Sequence, residues 1–444
     1  MNKKIKHIKK KLEESIEQVC NTHWMFCENP DRDFTRSRKL PFKRVISFLL
    51  SMEGGSLSSE IMKYFRYSRN IATTSALVQQ RKKINPDALL TAFGLFARKT
   101  DFNKTYKGLR LIAADGSDIL IPTNPQHPDS FYPETEHKSA YNILHLDAMY
   151  DLLQHTYVDV MLVGDRNANE KRNLCTMVDR SFLNQALVIA DRGYENYNLM
   201  AHVQEKDWKY LIRIKDPQSA ISGIASGLDL PDSDEFDLFV DLSLTTKSSN
   251  SIKELLKDRN HYRFVPSKAN FDYLPKKNRK HGNAVFYSLP FRIVRFKITE
   301  DSYETVVTNL DELQFPPEEL KKLYSMRWGI ETSFRDLKYT VGLLHFHSKK
   351  LQFICQEIFA RLIMYNFSAL ITASVAVPNK KTQYTYKINF STAVSICRQL
   401  FSNGISTTDA VVLLEKFLTP IRPGRCKPRK ASAKHPIAFS YRIA

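Results

Sequence analysis

The order of apolar runs between Leu109 and Lys215 restricts this chain more than any other feature. Leu109–Ala114, Tyr141–Tyr150 and Thr156–Val163 are short strand-like runs, the last two joined by Asp151–His155. Asn169–Phe182 is amphipathic at helical spacing, Ala186–Ala190 has a buried-strand pattern, Glu195–Glu205 is helical and Tyr210–Lys215 is strand-like. Three strands, then helix, strand, helix and strand, describe a mixed sheet with helices packed on it.

The flanking segments have other patterns and divide the chain into five. Residues 1–105 read as helical. Leu12, Ile16 and Val19 fall at i, i+4 and i+7, Arg44–Met52 stops at Gly54-Gly55, and Ser59–Phe65 and Thr74–Ile84 are short helices. The last of these carries Gln79, Gln80, Arg81, Lys82 and Lys83. That suits a helix-turn-helix-like DNA-binding arm, and equally a generic bundle. Residues 106–215 hold the sheet pattern above, and residues 216–302 read as a β-rich insertion with alternating Asn283–Leu289 and Phe291–Ile298. Over 303–345 the chain returns to a strand, Tyr303–Leu310, and a long helix. Pro316-Pro317-Glu318-Glu319 opens that helix, as the helix dipole favours, and it runs to about Tyr339 with Gly342 closing it. Residues 346–444 form a helical C-terminal region, with apolar Leu351–Ala376 and a basic tail.

Charge narrows the partners. The 444 residues include 66 Lys plus Arg and 47 Asp plus Glu, a net charge of +19. A polyanionic partner or a merely solvated surface accounts for that excess. The charge is segregated: Lys416–Ala444 holds eight bases and no acid, while Asp229–Asp241, read as a solvated loop, holds six acids and no base. The longest nearly apolar run, Phe367–Val377, has 11 residues, against the roughly 20 of a spanning helix, so no membrane partner is expected. There is no secretory signal, and the six cysteines include no C-x-x-C pair. Both fit a reducing cytoplasm. His137, His145, His345 and His347 match no zinc spacing, Ser117 lacks a hydrolase elbow, and no phosphate-binding P-loop occurs.

Three acids stand out by position. Asp115 and Asp191 each follow a short apolar run, in Ala114-Asp115-Gly116 and Ala190-Asp191-Arg192-Gly193. Strand ends are where open sheets build their sites, although Asp-Gly is also a turn signal. Two neighbouring carboxylates repel unless one is protonated or a cation joins them. Oxygen donors without a Cys or His cluster point to Mg²⁺ or Mn²⁺, and a pair of such ions serves in-line phosphodiester chemistry. The third acid is Glu331. With Tyr324, Arg327 and Lys338 it lies at offsets 0, 3, 7 and 14 on the long helix, one narrow stripe at about 100° per residue. Such a stripe suits a surface where metal meets phosphate, or a solvated face with i, i+4 pairs.

Taken together these residues resemble a known family. The order Asp115, Asp191, Glu331 is similar to that of the DDE transposases. Tyr324-x-x-Arg327-x-x-x-Glu331-x-x-x-x-x-x-Lys338 matches the Y-(2)-R-(3)-E-(6)-K signature of the insertion-sequence-four family of bacterial transposases at all four letters. The tail Ile421–Arg425 through Phe439–Arg442 also resembles that family, and the likeness covers roughly residues 40–444. It implies an α/β ribonuclease H-like core interrupted by the β-rich insertion. Asp115, Asp191 and Glu331 would hold two Mg²⁺ ions, cleaving the element's ends and joining the freed 3′-OH to target DNA. Tyr324, Arg327, Lys338 and Arg192 would contact phosphates. Trp328 would be a buried helix aromatic or stack on a flipped base. The implied partner is double-stranded DNA, the terminal inverted repeats and the target, bound by a homodimer or larger assembly at the bacterial nucleoid. A domesticated DNA-binding regulator or a stand-alone metal-dependent nuclease remain as rivals.

Overall fold

The computed structural model describes residues 2–36, 38–217, 223–266, 269–275, 285–377 and 384–421. The basic tail beyond Ile421 lies outside the described residues. The N-terminal part is helical: α1 (Asn2–Asn21), α2 (Phe42–Ser51), α3 (Leu57–Tyr64), α4 (Thr74–Lys82) and α5 (Asp87–Lys99). Leu12, Ile16 and Val19 on α1 are all buried, as their spacing predicts. Ser56 and Thr73 cap α3 and α4 by accepting from the backbone N–H three residues on, the usual way to satisfy a first-turn donor.

Among the described residues ten strands form one mixed sheet. They are β1 (Arg110–Ile121), β2 (Phe131–Tyr132), β3 (Tyr141–Asp151), β4 (Thr156–Gly164), β5 (Ala186–Ala190), β6 (Lys209–Arg213), β7 (Phe236–Thr245), β8 (Tyr262–Phe264), β9 (Tyr287–Thr299) and β10 (Ser302–Thr308). Their order is β2-β3-β1-β5-β6-β10-β9-β7-β8, and β4 also pairs with β3. β3 is antiparallel to both β1 and β4, while β1, β5 and β6 run parallel. The strand–helix–strand connections use α6 (Glu170–Arg180) and α7 (Tyr197–Glu205). β7, β8 and β9, with the short α8 (Asn250–Leu255), extend the same sheet beyond β10. Phe236–Thr245 is therefore strand and not solvated loop, and its Asp237 forms an ion pair with the buried Arg292 of β9.

The long helix expected from Pro316 to Tyr339 is broken in two. α9 (Pro317–Ser325) ends in a tight turn, with Arg327 N–H on Tyr324 C=O at 3.0 Å, and α10 (Trp328–Arg335) follows. A wider π turn over Asp336–Thr340 then carries Lys338, and Gly342 closes it at φ +94°. α11 (Leu351–Thr372), α12 (Phe390–Phe401) and α13 (Thr407–Lys416) complete the chain with a small hairpin of Tyr386–Ile388 and Leu418–Pro420. α11 has 22 residues and is apolar enough to cross a membrane, longer than the 11-residue run read from the sequence, yet nearly all of it is buried inside the protein. Its apolar surface has found protein, which satisfies it equally well.

Each face of the sheet has its own core. Leu111, Ala113, Leu187 and Ile189 face a core shared with α1, α2, α5 and α9 to α12. Ile112, Ala114, Val188 and Ala190 face α6 and α7. Arg81 of α4 lies within the first core, bonded to Glu357 at 2.9 Å and to Gln356 at 2.7 Å on α11. It is thus a buried strut and not a free phosphate contact on the basic helix.

Candidate active site

Two neighbouring strands bring the aspartates together. β1 and β5 are parallel, with Ala114 opposite Ala190. The next residue on each is an aspartate, so Asp115 and Asp191 lie side by side on strands about 5 Å apart. β5 ends at Ala190 whereas β1 runs on to Ile121, paired among the described residues with β3 alone. Asp115 is therefore inside a strand and not past its end, as the Asp-Gly pair had suggested. Its β5 side is open because the neighbour has stopped. Asp191 turns away and caps a single turn, accepting from Gly193 N–H at 2.7 Å.

The alternation that puts Leu111 and Ala113 into the first core puts Asp115 on the same face. α10 packs there. Ile330 and Phe334 are buried, and Ser333 Oγ lies 2.9 Å from the Tyr157 hydroxyl. Gly329 makes the close approach, since a Cβ on it would fall 2.8 Å from Leu152 Cδ2. Glu331 is held toward Asp115 by Arg327, whose Nη2 donates to Glu331 at 2.7 Å while Nη1 sits 3.6 Å from Asp115.

Burial is the main cause that pushes the Asp115 carboxyl up to about 6, with the charges of Asp191 and Glu331 adding to it. The Gly116 N–H and Arg327 pull the other way. Three carboxylates with one of them held partly protonated form a donor set short of positive charge. Hard divalent cations meet that need with oxygen ligands.

The stripe is more buried than its sequence suggests. Tyr324 is 5% and Arg327 7% exposed, so neither stands on an open face. Tyr324 sits beneath the Arg327 guanidinium, 5.9 Å from its ring centre. Lys338 is half-buried with Asp118 nearby, and burial lowers its pKa. Arg192, beside Asp191, is exposed. Trp328 is 57% exposed, which removes the buried-aromatic reading; the guanidinium of Arg327 lies 5.5 Å from its ring.

Sequence reasoning missed a second group of acids. His145, set aside for want of a zinc spacing, is surrounded by Asp118, Asp147, Asp165 and Glu170. Burial disfavours a charged ring, but the carboxylates of Asp118, Asp147 and Glu170 outweigh it and push the His145 pKa up to about 12. The available signal was His145-x-Asp147, a period-2 pair on one face of a strand. Its partner Glu170 lies on another element. His347, by contrast, is tied to Glu357 and to Gly55 C=O, deep in the helical core.

Residues 106–367 match a family model described as the transposase DDE domain, a stretch that contains all three acids. Among curated proteins, the transposase InsG for insertion sequence element IS4 of Escherichia coli (strain K12) is 21% identical over 311 residues. The aligned part is 67% of this chain and 61% of that protein, so the chain spans less than two thirds of that relative. A solved structure, the piggyBac transposase synaptic complex with hairpin DNA, aligns over 90% of this chain and 83% of that one, at 9% identity and a TM-score of 0.42. That likeness is too slight to carry an argument.

Proposed function

The chain belongs to the transposase DDE domain family, and from that premise we propose that it is the transposase of a bacterial insertion sequence. It cleaves phosphodiesters at the element's ends and joins the freed 3′-OH to target DNA. The observation that carries this reading is the register of β1 and β5, which sets Asp115 beside Asp191 under Glu331. Asp115, Asp191 and Glu331 are the residues that would hold two Mg²⁺ or Mn²⁺ ions. Bound there, the ions supply an activated water or 3′-OH and neutralise charge on the phosphate.

The chain's own residues prepare that site. Gly116 N–H orients Asp115, Gly193 N–H orients Asp191, and Arg327 fixes Glu331. Tyr324 supports Arg327 from below, which makes it a positioning residue in preference to an exposed phosphate contact. Arg192 and Lys338 lie where backbone phosphates of the cleaved end would pass, and Arg327 adds its charge beside them. The exposed ring of Trp328 offers a stacking surface for a displaced base.

The strand order β4-β3-β1-β5-β6 supports a ribonuclease H-like core made of residues 106–215 and 303–345. The chain leaves β6, builds β7 to β9 at the far edge and returns through β10 beside β6, which supports reading 216–302 as an insertion. Residues 1–105 and the basic region within 346–444 are assigned to recognition of the terminal repeats, by a homodimer or larger assembly.

A strand-transfer assay tests the proposal. The full chain is incubated with Mg²⁺ and a DNA carrying the short inverted repeats that bracket its gene. Cleavage at the repeat followed by joining to a second duplex is expected. Cleavage without joining would identify a nuclease, and binding without either would identify a regulator.

A further inference from the structure

Three side chains converge on the face of β1 opposite Asp115, and the proposed reaction uses none of them. His145 and Asp147 alternate along β3 and so share a face, and Glu170 opens α6 beside them. His145 Nε2 is 3.4 Å from Asp147 Oδ1 and 3.1 Å from Glu170 Oε1. His145 is 7% and Asp147 1% exposed. Yet among the described residues His145 Nε2 and Asp147 Oδ1 have no hydrogen-bond partner. Both carboxylate oxygens are near enough to Nε2 for a hydrogen bond, but neither has the required geometry.

The rest of the ring is already committed. Nδ1 lies 2.7 Å from Asp118 Oδ1, and Asn173 Nδ2 donates to Asp147 Oδ2 at 2.6 Å. A histidine whose Nδ1–H is held by a carboxylate presents the Nε2 lone pair, the tautomer that outer carboxylates impose on metal-ligating imidazoles. Two carboxylate oxygens facing Nε2 call for positive charge between them, either a proton on Nε2, which the three acids favour while no metal is bound, or a metal ion that displaces that proton. Ligand atoms about 2.1 Å from one ion lie roughly 3.0–3.4 Å from each other, which is the spacing of His145 Nε2 from each of the two oxygens. The backbone keeps the space clear. A Cβ on Gly116 would lie closer than van der Waals contact to both His145 Nε2 and Glu170 Oε1, the latter at 2.6 Å, so glycine after Asp115 lets the three donors meet.

We propose that His145 Nε2, Asp147 Oδ1 and Glu170 Oε1 bind a divalent transition-metal ion, Mn²⁺ or Zn²⁺, at a centre separate from the three-carboxylate site. One imidazole with two carboxylates favours such ions over Mg²⁺. The ion joins α6 to β3 and backs the part of β1 that carries Asp115. This inference does not depend on the transposase reading, because its readout is metal binding and not DNA cleavage.

The test uses the full chain labelled with ¹⁵N-histidine and carrying Asp191→Asn with Glu331→Gln, which silences the other centre. Mn²⁺ is added, and electron spin-echo envelope modulation reports imidazole nitrogen bound to it. One tight Mn²⁺ per chain with a ¹⁵N coupling is expected. His145→Gln should abolish the coupling and weaken binding at least tenfold. Gly116→Ala should weaken it as much although it removes no ligand residue, because its methyl pushes His145 and Glu170 apart. Tight Mn²⁺ without nitrogen coupling, a coupling that survives His145→Gln, or no tight Mn²⁺ at all would each overturn the proposal. The last outcome would leave His145 as an imidazolium held by its four acids. The coupling in the parent protein decides the matter even if a variant does not fold.

Discussion

At the residue scale the three acids proposed to hold metal crowd like charges together, which opposes folding. Asp115 sits in a poorly solvated place beside Asp191 and Glu331, and its carboxyl is pushed up to about 6. At neutral pH it is nevertheless mostly ionised, with Arg327 close by as a counter-charge. Asp115→Asn removes one of three crowded charges. In buffer with chelator at pH 7.5 the variant should melt a few degrees higher than the parent, measured by differential scanning calorimetry, while losing cleavage. An equal or lower melting temperature would show that Arg327 already balances the site. Lys338 belongs to this scale too. If it meets a backbone phosphate, Lys338→Ala should flatten the slope of log K against log salt by about 0.9, read by fluorescence anisotropy on end DNA.

At the element scale the site depends on how closely α10 approaches the sheet. Gly329 permits that approach, and Glu331 is two residues further on. Gly329→Ala places a methyl against Leu152, an overpacking that costs about 1–3 kcal/mol. It also shifts Glu331 away from the aspartates. Cleavage should fall by roughly 10²-fold, since misplacement near 1 Å has that effect, with circular dichroism unchanged. The same break between α9 and α10 shows where periodicity misled. Tyr324, Arg327, Glu331 and Lys338 fit an ideal helix on paper, yet the tight turn at Arg327 and the π turn at Lys338 depart from its pitch at both ends. The Arg327–Glu331 contact survives because Arg327, the N-cap of α10, keeps helical φ and ψ of −50° and −33°, so the i, i+4 spacing still brings the pair together.

At the scale of the whole molecule, helices from both ends of the chain meet in one core on one face of the sheet. Its polar centre is Glu357 on α11, bonded to Arg81, Arg361 and His347. Burial alone would raise its pKa, but Arg81, the His347 hydrogen bond and Arg361 outweigh burial and hold it well below the ordinary value of 4.5. A carboxyl depressed in the folded state contributes stability that is complete above its unfolded pKa and is lost as pH falls below it. Glu357→Gln should therefore cost about 3–5 kcal/mol at neutral pH, as breaking a buried ion pair does. In urea melts the gap to the parent should narrow below about pH 4. A gap of constant size would mean the charge plays no part.

The sequence made the strands around Asp115 and Asp191 legible because buried parallel strands read as unbroken apolar runs. It left two things hidden. Asp115-Gly116 reads as a turn, and only the end of β5 reveals an open strand edge. Arg81 reads as a basic-helix residue, and only its pairing with Glu357, 276 positions away, shows that it is buried. Spacing along a chain carries local geometry, and contacts this distant are set by packing.

The central claim is that Asp115, Asp191 and Glu331 act as one centre. Single-turnover cleavage of end DNA in Mg²⁺ by Asp115→Asn, Asp191→Asn and Glu331→Gln, each checked for folding, tests it most directly. The account predicts that every one of the three loses at least about 10³-fold in rate, since residues acting as one unit fail together. Cleavage at the parent rate by any one of the folded variants would contradict it.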